Sequence, residues 1–202
     1  MASIFNTEDA EAFDASGRAE AEEWIVPLVG RGDVVMDLGC GIGRVARHVA
    51  PHCRVLYAVD ASERMLELAG ERMADRPNVR FARSKGTALP ELGNATVDMA
   101  YSLLTLQHVE REDAFLLLRE LCRVVRPGGT IYLTFPNLLS ETYFSGFLSY
   151  AASGEVANPV RARLYTAQEV EWILPAAGLE VVEVRPETEI RVTARSGGAV
   201  AA

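Results

Sequence analysis

The apolar run Val34-Val35-Met36 ends in Asp37, and Gly39, Gly41 and Gly43 follow at alternate positions. Continuous apolar character over a short run belongs to a strand covered on both faces, as in parallel sheets. Glycines at alternate positions let the backbone turn sharply and let a ligand approach with no Cβ in the way. The helix predicted from Gly43 to Val49, stopped by Pro51, presents free N–H groups at that spot. A second apolar run, Val55 to Val59, ends in Asp60, placed to accept both hydroxyls of a ribose. Together these residues describe a nucleoside-cofactor site at the carboxyl edge of a parallel sheet. The competing reading of the glycines is a tight strand-to-helix turn with no ligand.

The rest of the chain extends the same alternation. Strands are predicted at Val34–Asp37, Val55–Asp60, Asn78–Ala82, Val97–Ser102 and Thr130–Phe135. Helices are predicted from Ser16, read as an N-cap, to Val29, from Ser62 to Ala74, over Glu112–Val125, and from Thr166 to Ala177. Pro127-Gly128-Gly129 is read as the stop that turns the chain into the fifth strand. Two closing strands, Glu180–Val184 and Glu189–Ala194, have no helix between them and can pair only as an antiparallel hairpin. The predicted fold class is therefore α/β, a doubly wound, mostly parallel seven-stranded sheet with an antiparallel C-terminal hairpin. Residues 1–31 are expected to form a helical lid, 32–195 the cofactor-binding domain and 196–202 a disordered tail. Within the domain, 137–165, rich in Ser, Tyr, Phe and Gly, is expected to be an acceptor-binding insertion.

The formal charge of −8, from 28 acidic and 20 basic residues, makes a phosphate backbone a poor partner, so no nucleic acid is expected. The three unpaired-looking cysteines argue against a disulfide framework or a metal site and suit a reducing cytoplasm. The acidic N-terminus lacks the apolar core of a signal peptide. No apolar run approaches the length of a membrane span. A monomer or a homodimer is expected.

The glycine turn alone does not choose a cofactor. Gly41-Ile42-Gly43-Arg44-Val45-Ala46 fits the dinucleotide fingerprint, and Asp60 stands at about the right distance for a ribose. Asp37 discriminates, because a carboxylate beside the first glycine repels a pyrophosphate. S-adenosylmethionine has no phosphate and carries an ammonium and a sulfonium, which the same carboxylate attracts.

Asp37-Leu38-Gly39-Cys40-Gly41-Ile42-Gly43 resembles the first motif of class I S-adenosylmethionine-dependent methyltransferases of the small-molecule type. Tyr57 to Ser62 followed by Met65 resembles the second, and Val97 to Val109 the fourth. Leu118-Arg119-Glu120 through Arg126-Pro127-Gly128-Gly129 to Asn137 resembles a later signature, and Tyr165–Val170 with Ala177–Val181 the closing helix and strand. The resemblance implies that Asp37 sits near the methionine ammonium and that Gly39, Cys40 and Gly41, in the turn closed by Gly43, give backbone contacts to the methionine moiety. It also implies that Asp60 holds the ribose, that Ala61 and Met65 pack on adenine, and that Ser102 and Leu103 line the methyl channel. One departure stands out. Ser84-Lys85 replaces the Gly-Asp usual in the family, and Lys85 has no acceptor for the adenine amino group. Adenine recognition then falls to backbone near Gly86 or to Thr87.

Methyl transfer from a sulfonium is an in-line displacement that needs alignment and dryness more than acid–base chemistry. His108, after the fourth strand, is the candidate general base for an oxygen, nitrogen or carbon acceptor; the alternative is a loop-structuring role. Phe13 and Arg18 from the lid, with Tyr143, Phe147 and Tyr165 from the aromatic stretch, are the candidate small-molecule acceptor residues. The competing functions are a non-catalytic cofactor-binding domain and an NAD-type oxidoreductase.

Overall fold

The computed structural model describes residues 10–153 and 162–198. Seven strands, β1 (Val34–Leu38), β2 (Val55–Asp60), β3 (Val79–Arg83), β4 (Val97–Ser102), β5 (Val125–Pro136), β6 (Leu179–Pro186) and β7 (Glu189–Ser196), form one sheet in the order β3-β2-β1-β4-β5-β7-β6. The pairings from β3 across to β5 are parallel. β7 inserts between β5 and β6 and runs antiparallel to both. The doubly wound sheet with its closing hairpin is the one predicted. The strand order reverses direction at β1, with β2 on one side and β4 on the other, which opens a crevice at the carboxyl ends of these strands.

Alternation along the strands builds a core on each face. Met36 and Leu38 of β1 join Ile131 and Leu133 of β5 beneath α4 (Arg111–Val124) and α6 (Ala167–Ala176). Val35 of β1, Leu56, Ala58 and Met99 join residues of α2 (Ala46–Val49) and α3 (Glu63–Arg72) on the other face. Tyr101 and Tyr132 belong to this second face, and alternation from Val35 puts Asp37 there too. Paired registers align Asp37 with Tyr101 and Tyr101 with Tyr132, one polar row across three strands.

Several boundaries differ from the sequence-based expectation, and four of the differences have a physical reason. The first helix does not begin at Ser16. α1 runs over Ala10–Glu20, and the Ser16 hydroxyl donates back to the Phe13 carbonyl at 2.8 Å, as a mid-helix serine does. The helix then widens to a π-turn, Ala21–Ile25, and tightens to a 3-10 turn, Val26–Leu28, that accommodates Pro27. Pro127-Gly128-Gly129 is not a turn ahead of the strand but a bulge inside β5. The register jumps from Val97↔Val125 to Met99↔Thr130, and Gly128 takes φ +75°.

The aromatic stretch contains a helix, α5 (Glu141–Ser153), that buries none of its residues. A helix without a buried face has no periodicity to read. Residues 154–161 of the expected insertion lie outside the described residues. Ser196 does not open a tail. It closes β7, is 2% exposed, and its hydroxyl lies 3.1 Å from the Cys122 carbonyl and 3.2 Å from that of Val125. Residues 199–202 of the expected tail, like 1–9 of the expected lid, lie outside the described residues.

Candidate active site

The turn after β1 is held in the left-handed region, with φ +81° at Gly39, +54° at Gly41 and +79° at Gly43. Two of these glycines are also required by crowding: a Cβ on Gly39 would lie 2.1 Å from the Thr105 side chain, and one on Gly43 2.6 Å from Met73 Cε. Gly41 differs, because a Cβ there would meet nothing within 4 Å. The turn is closed on the rest of its surface and open at Gly41.

The N–H groups of its three glycines and of Cys40 are already used. Gly39 and Cys40 donate to the Val59 carbonyl at 2.7 and 2.9 Å, and Gly41 donates to Asp60 Oδ2 at 2.9 Å. The other Asp60 oxygen accepts the Ser62 N–H at 2.8 Å, and Ser62 caps α3 by accepting from the Met65 N–H. Asp60 is thus fixed at the tip of β2, with lone pairs left over on both oxygens. The sequence reading places the free N–H groups on a helix that begins at Gly43, but α2 begins at Ala46, and Gly43 donates to the Cys40 carbonyl at 2.9 Å within the turn.

Asp37, at the far end of the polar row, is 3% exposed. Burial, with the Asp60 and Glu20 charges adding to it, pushes its carboxyl up to about 7, against the opposing pull of Tyr101 and Arg44. The Tyr101 hydroxyl faces this carboxyl without completing a hydrogen bond of ordinary geometry. Cys40 is buried beside the two aspartates, and its thiol is pushed well up, first by burial and then by their charges. Ser102 is buried and donates to the Leu38 carbonyl at 2.9 Å, locking β4 to β1. Ala61 is exposed and Met65 half-buried on α3. Lys85 is exposed, and its N–H and carbonyl both pair with Ala88 across a two-residue turn made of Gly86 and Thr87, with Gly86 at φ +60°.

α1 and its π-turn lie over this region. Gly17 lets α1 approach so closely that a Cβ would stand 2.3 Å from the Arg44 carbonyl oxygen. Arg44, in the glycine turn, reaches Glu20 at 2.8 Å and the Ser16 hydroxyl at 3.2 Å. Phe13 lies between the guanidinium groups of Arg44 and Arg72, so it fastens α1 down. Arg18 borders an open groove of about 530 Å³ formed by α1 with Arg47 and Arg72.

Beyond Leu103 and Leu104, at the carboxyl end of β4, is a cavity of about 100 Å³. Its floor is Tyr132 and Thr134 of β5, its roof Glu20 and Trp24, and its outer wall Glu189 and Arg191 of β7. Trp24 stacks on Tyr132 with ring centroids 6.5 Å apart, and Arg191 lies over the other part of this stack, 4.5 Å from the Trp24 centroid. Glu189 is raised by partial burial, which outweighs the nearby Arg191, and by the Glu20 charge.

The remaining candidates are dispersed. Tyr143 of α5 is half-buried near Glu189, and burial followed by that charge raises its phenol. Phe147 is exposed and stacks on Phe144. Tyr165 is buried in the α4–α6 layer against Phe135, with Arg111 over its ring at 4.8 Å. His108 ends a short 3-10 turn, Leu106–His108, is exposed, and neighbours the Gln107 amide at 3.2 Å. Partial burial and the Arg163 guanidinium lower its pKa. His108 is not part of the 100 Å³ cavity wall. Among the described residues no group of three or more His, Cys, Asp or Glu side chains is arranged to hold a metal.

Sequence reasoning missed Glu20, Trp24, Tyr132, Glu189 and Arg191. The available sign was parity: Tyr132 and Thr134 alternate with apolar Ile131, Leu133 and Phe135, as Glu189 and Arg191 do with Ile190 and Val192.

A family model of the methyltransferase domain matches residues 35–129. An uncharacterized methyltransferase of Mycobacterium bovis is 32% identical over 144 residues, 70% of this chain and 70% of that protein. Malonyl-(acyl-carrier protein) O-methyltransferase of a Marinomonas species is 33% identical over 155 residues, 68% of this chain, which spans only 54% of that relative's length. Among solved structures, an S-adenosylmethionine-dependent methyltransferase of Thermotoga maritima has the same fold, with a TM-score of 0.70 at 19% identity over 92% of this chain and 91% of that one. The chain belongs to the class I S-adenosylmethionine-dependent methyltransferase family.

Proposed function

We propose that the chain is an enzyme that takes S-adenosylmethionine in the crevice beside β1 and methylates an oxygen, nitrogen or carbon atom of a small-molecule acceptor. The observation that carries this reading is the buried carboxyl of Asp37 beside a turn in which the N–H groups of all three glycines and of Cys40 are committed. A phosphate-bearing dinucleotide needs free N–H donors and no adjacent carboxylate. An ammonium needs the reverse: Asp37, and carbonyl oxygens such as that of Gly39. Gly41, with open space where a side chain would stand, is the natural point of close approach. Asp60 keeps lone pairs for the ribose hydroxyls, and Ala61, Met65, Gly86 and Thr87 are the proposed adenine neighbours. Ser102 and Leu103 border the channel to the 100 Å³ cavity.

When bound, the donor supplies a methyl on a sulfonium, whose C–S bond breaks with its electron pair going to sulfur as the acceptor lone pair forms the new bond. The protein's part is alignment and exclusion of water, for which α1 and Trp24 form the cover. His108 remains the proposed base for a hydroxyl acceptor that reaches out of the cavity.

The buried thiols of Cys40, Cys53 and Cys122 fit a reducing, cytoplasmic setting, and no helix among the described residues is long and apolar enough to cross a membrane. The exposed Lys85 favours one second reading, a domain that binds the nucleoside weakly without turnover. Calorimetry with S-adenosylmethionine, S-adenosylhomocysteine and NAD tests the site. Both sulfur nucleosides are expected to bind and NAD is not; binding of NAD alone would overturn the proposal. Transfer of labelled methyl into a metabolite pool distinguishes an enzyme from a binder.

A further inference from the structure

The 100 Å³ cavity has a specific electrical character. Two of its three charged lining residues are already neutralised. Glu20 is paired with Arg44 at 2.8 Å, and Arg191 is paired with Glu187 and stacked on Trp24. Glu189 has no ion-pair partner within 4.0 Å among the described residues. A half-buried carboxyl thus faces the cavity with its charge unmatched. A second group is also unmatched. Tyr132 is 4% exposed and lines the cavity, and its buried hydroxyl has no hydrogen-bond partner. Buried polar groups are normally satisfied, so an orphaned phenol beside an unpaired carboxyl calls for a ligand with polar hydrogens. The rest of the wall is Trp24, Tyr132, Leu103, Leu104 and Thr134, whose hydroxyl oxygen already accepts the Leu104 N–H. An aromatic wall with one carboxylate left without an ion-pair partner is the environment that recognises an ammonium group.

We infer that this cavity is the acceptor site and that it takes the end of an aliphatic amine, held by the Glu189 carboxylate and the Tyr132 hydroxyl. The inference rests on the methyltransferase reading for the fate of the amine, but not for its binding. An amine enters as R–NH3+. The Glu189 carboxylate accepts one proton, leaving R–NH2 with a free lone pair and a neutral carboxylic acid. Tyr132 accepts a second N–H into its oxygen and keeps the lone pair directed away from the floor. The proton on Glu189 returns to solvent after each turnover. Glu20, Arg44, Arg191, Tyr132 and Tyr143 are the ionisable groups that face Glu189. Partial burial favours the uncharged acid, which suits Glu189 to holding that proton.

The test uses n-butylamine, n-butanol and butyrate, probes of similar size and different charge. Trp24 fluorescence in a Trp172→Phe background, which removes the exposed second indole, reads binding without any methyl donor. The amine is expected to bind about tenfold more tightly than the alcohol or the acid, and Glu189→Gln to erase that preference. Tyr132→Phe, which removes only the hydroxyl, is expected to weaken amine binding roughly threefold and keeps the test decisive should the Gln variant fail to fold. Equal binding of all three probes, or an unchanged preference in both variants, overturns the inference. If S-adenosylmethionine binds and the amine preference is absent, this inference alone fails. If the preference holds and the donor does not bind, the methyltransferase reading fails and the amine site stands.

Discussion

Asp37 ionises near 3.8 in an ordinary setting and at about 7 in the folded chain, chiefly through burial. The folded state therefore holds a proton that the unfolded state releases, and stability falls as pH rises from about 4 to about 7. Above pH 7 the cost is fully present, on the order of 4 kcal/mol at complete ionisation. Asp37→Asn is expected to raise the melting temperature of the donor-free protein at pH 8 by about 5 °C or more, with the gain shrinking toward pH 5. The same variant should lose the donor, because only the ionised carboxyl attracts an ammonium. Wild-type affinity for S-adenosylmethionine should likewise drop as pH falls below about 7. Thermal melts and titrations at several pH values check both, and a variant that melts lower at pH 8 would contradict the account. Asp37 and Asp60 were legible in the sequence because each ends an apolar run. Tyr101 and Tyr132 were not, because they reach the Asp37 row only through pairing of β1, β4 and β5.

At the scale of elements, strands were read more faithfully than helices. β2 and β4 stand where their apolar runs predict, and the Ser62 and Thr166 caps hold, the latter accepting from the Glu169 N–H at 3.2 Å. The start of α1 was misread, because Ser16 has the composition of a cap and the position of a mid-helix residue. The π-turn had no local sign at all, since an i→i+5 turn is imposed by what the helix packs against. It matters because Glu20 and Trp24 enter the cavity roof on either side of its first residues. Gly17 sets how closely this cover lies. Gly17→Ala should force α1 away from the Arg44 backbone at a cost of about 1–3 kcal/mol. Hydrogen exchange should then speed up in residues 10–25 while the central strands keep their protection. Unchanged exchange in α1 would show that the close approach is not needed to hold the cover.

For the whole molecule, the hairpin of β6 and β7 was legible from a missing helix, but not that β7 would lie against β5. That choice follows from burial: Ile190, Val192 and Ala194 are fully buried in the α4–α6 core, whereas β6 keeps Val182 and Glu183 exposed. A chain ending at Gly178 should therefore leave β5 as an unpaired apolar edge and show no cooperative unfolding transition by circular dichroism in denaturant. A sharp transition would mean that the first five strands suffice. The cavity is assembled from both ends of the chain, with Glu20 and Trp24 near the start and Glu189 and Arg191 near the finish. A chain without β7 therefore lacks both the partner strand of β5 and the outer wall of the cavity. The strand that completes the sheet thus also completes the cavity, so a change that detaches β7 removes stability and pocket together.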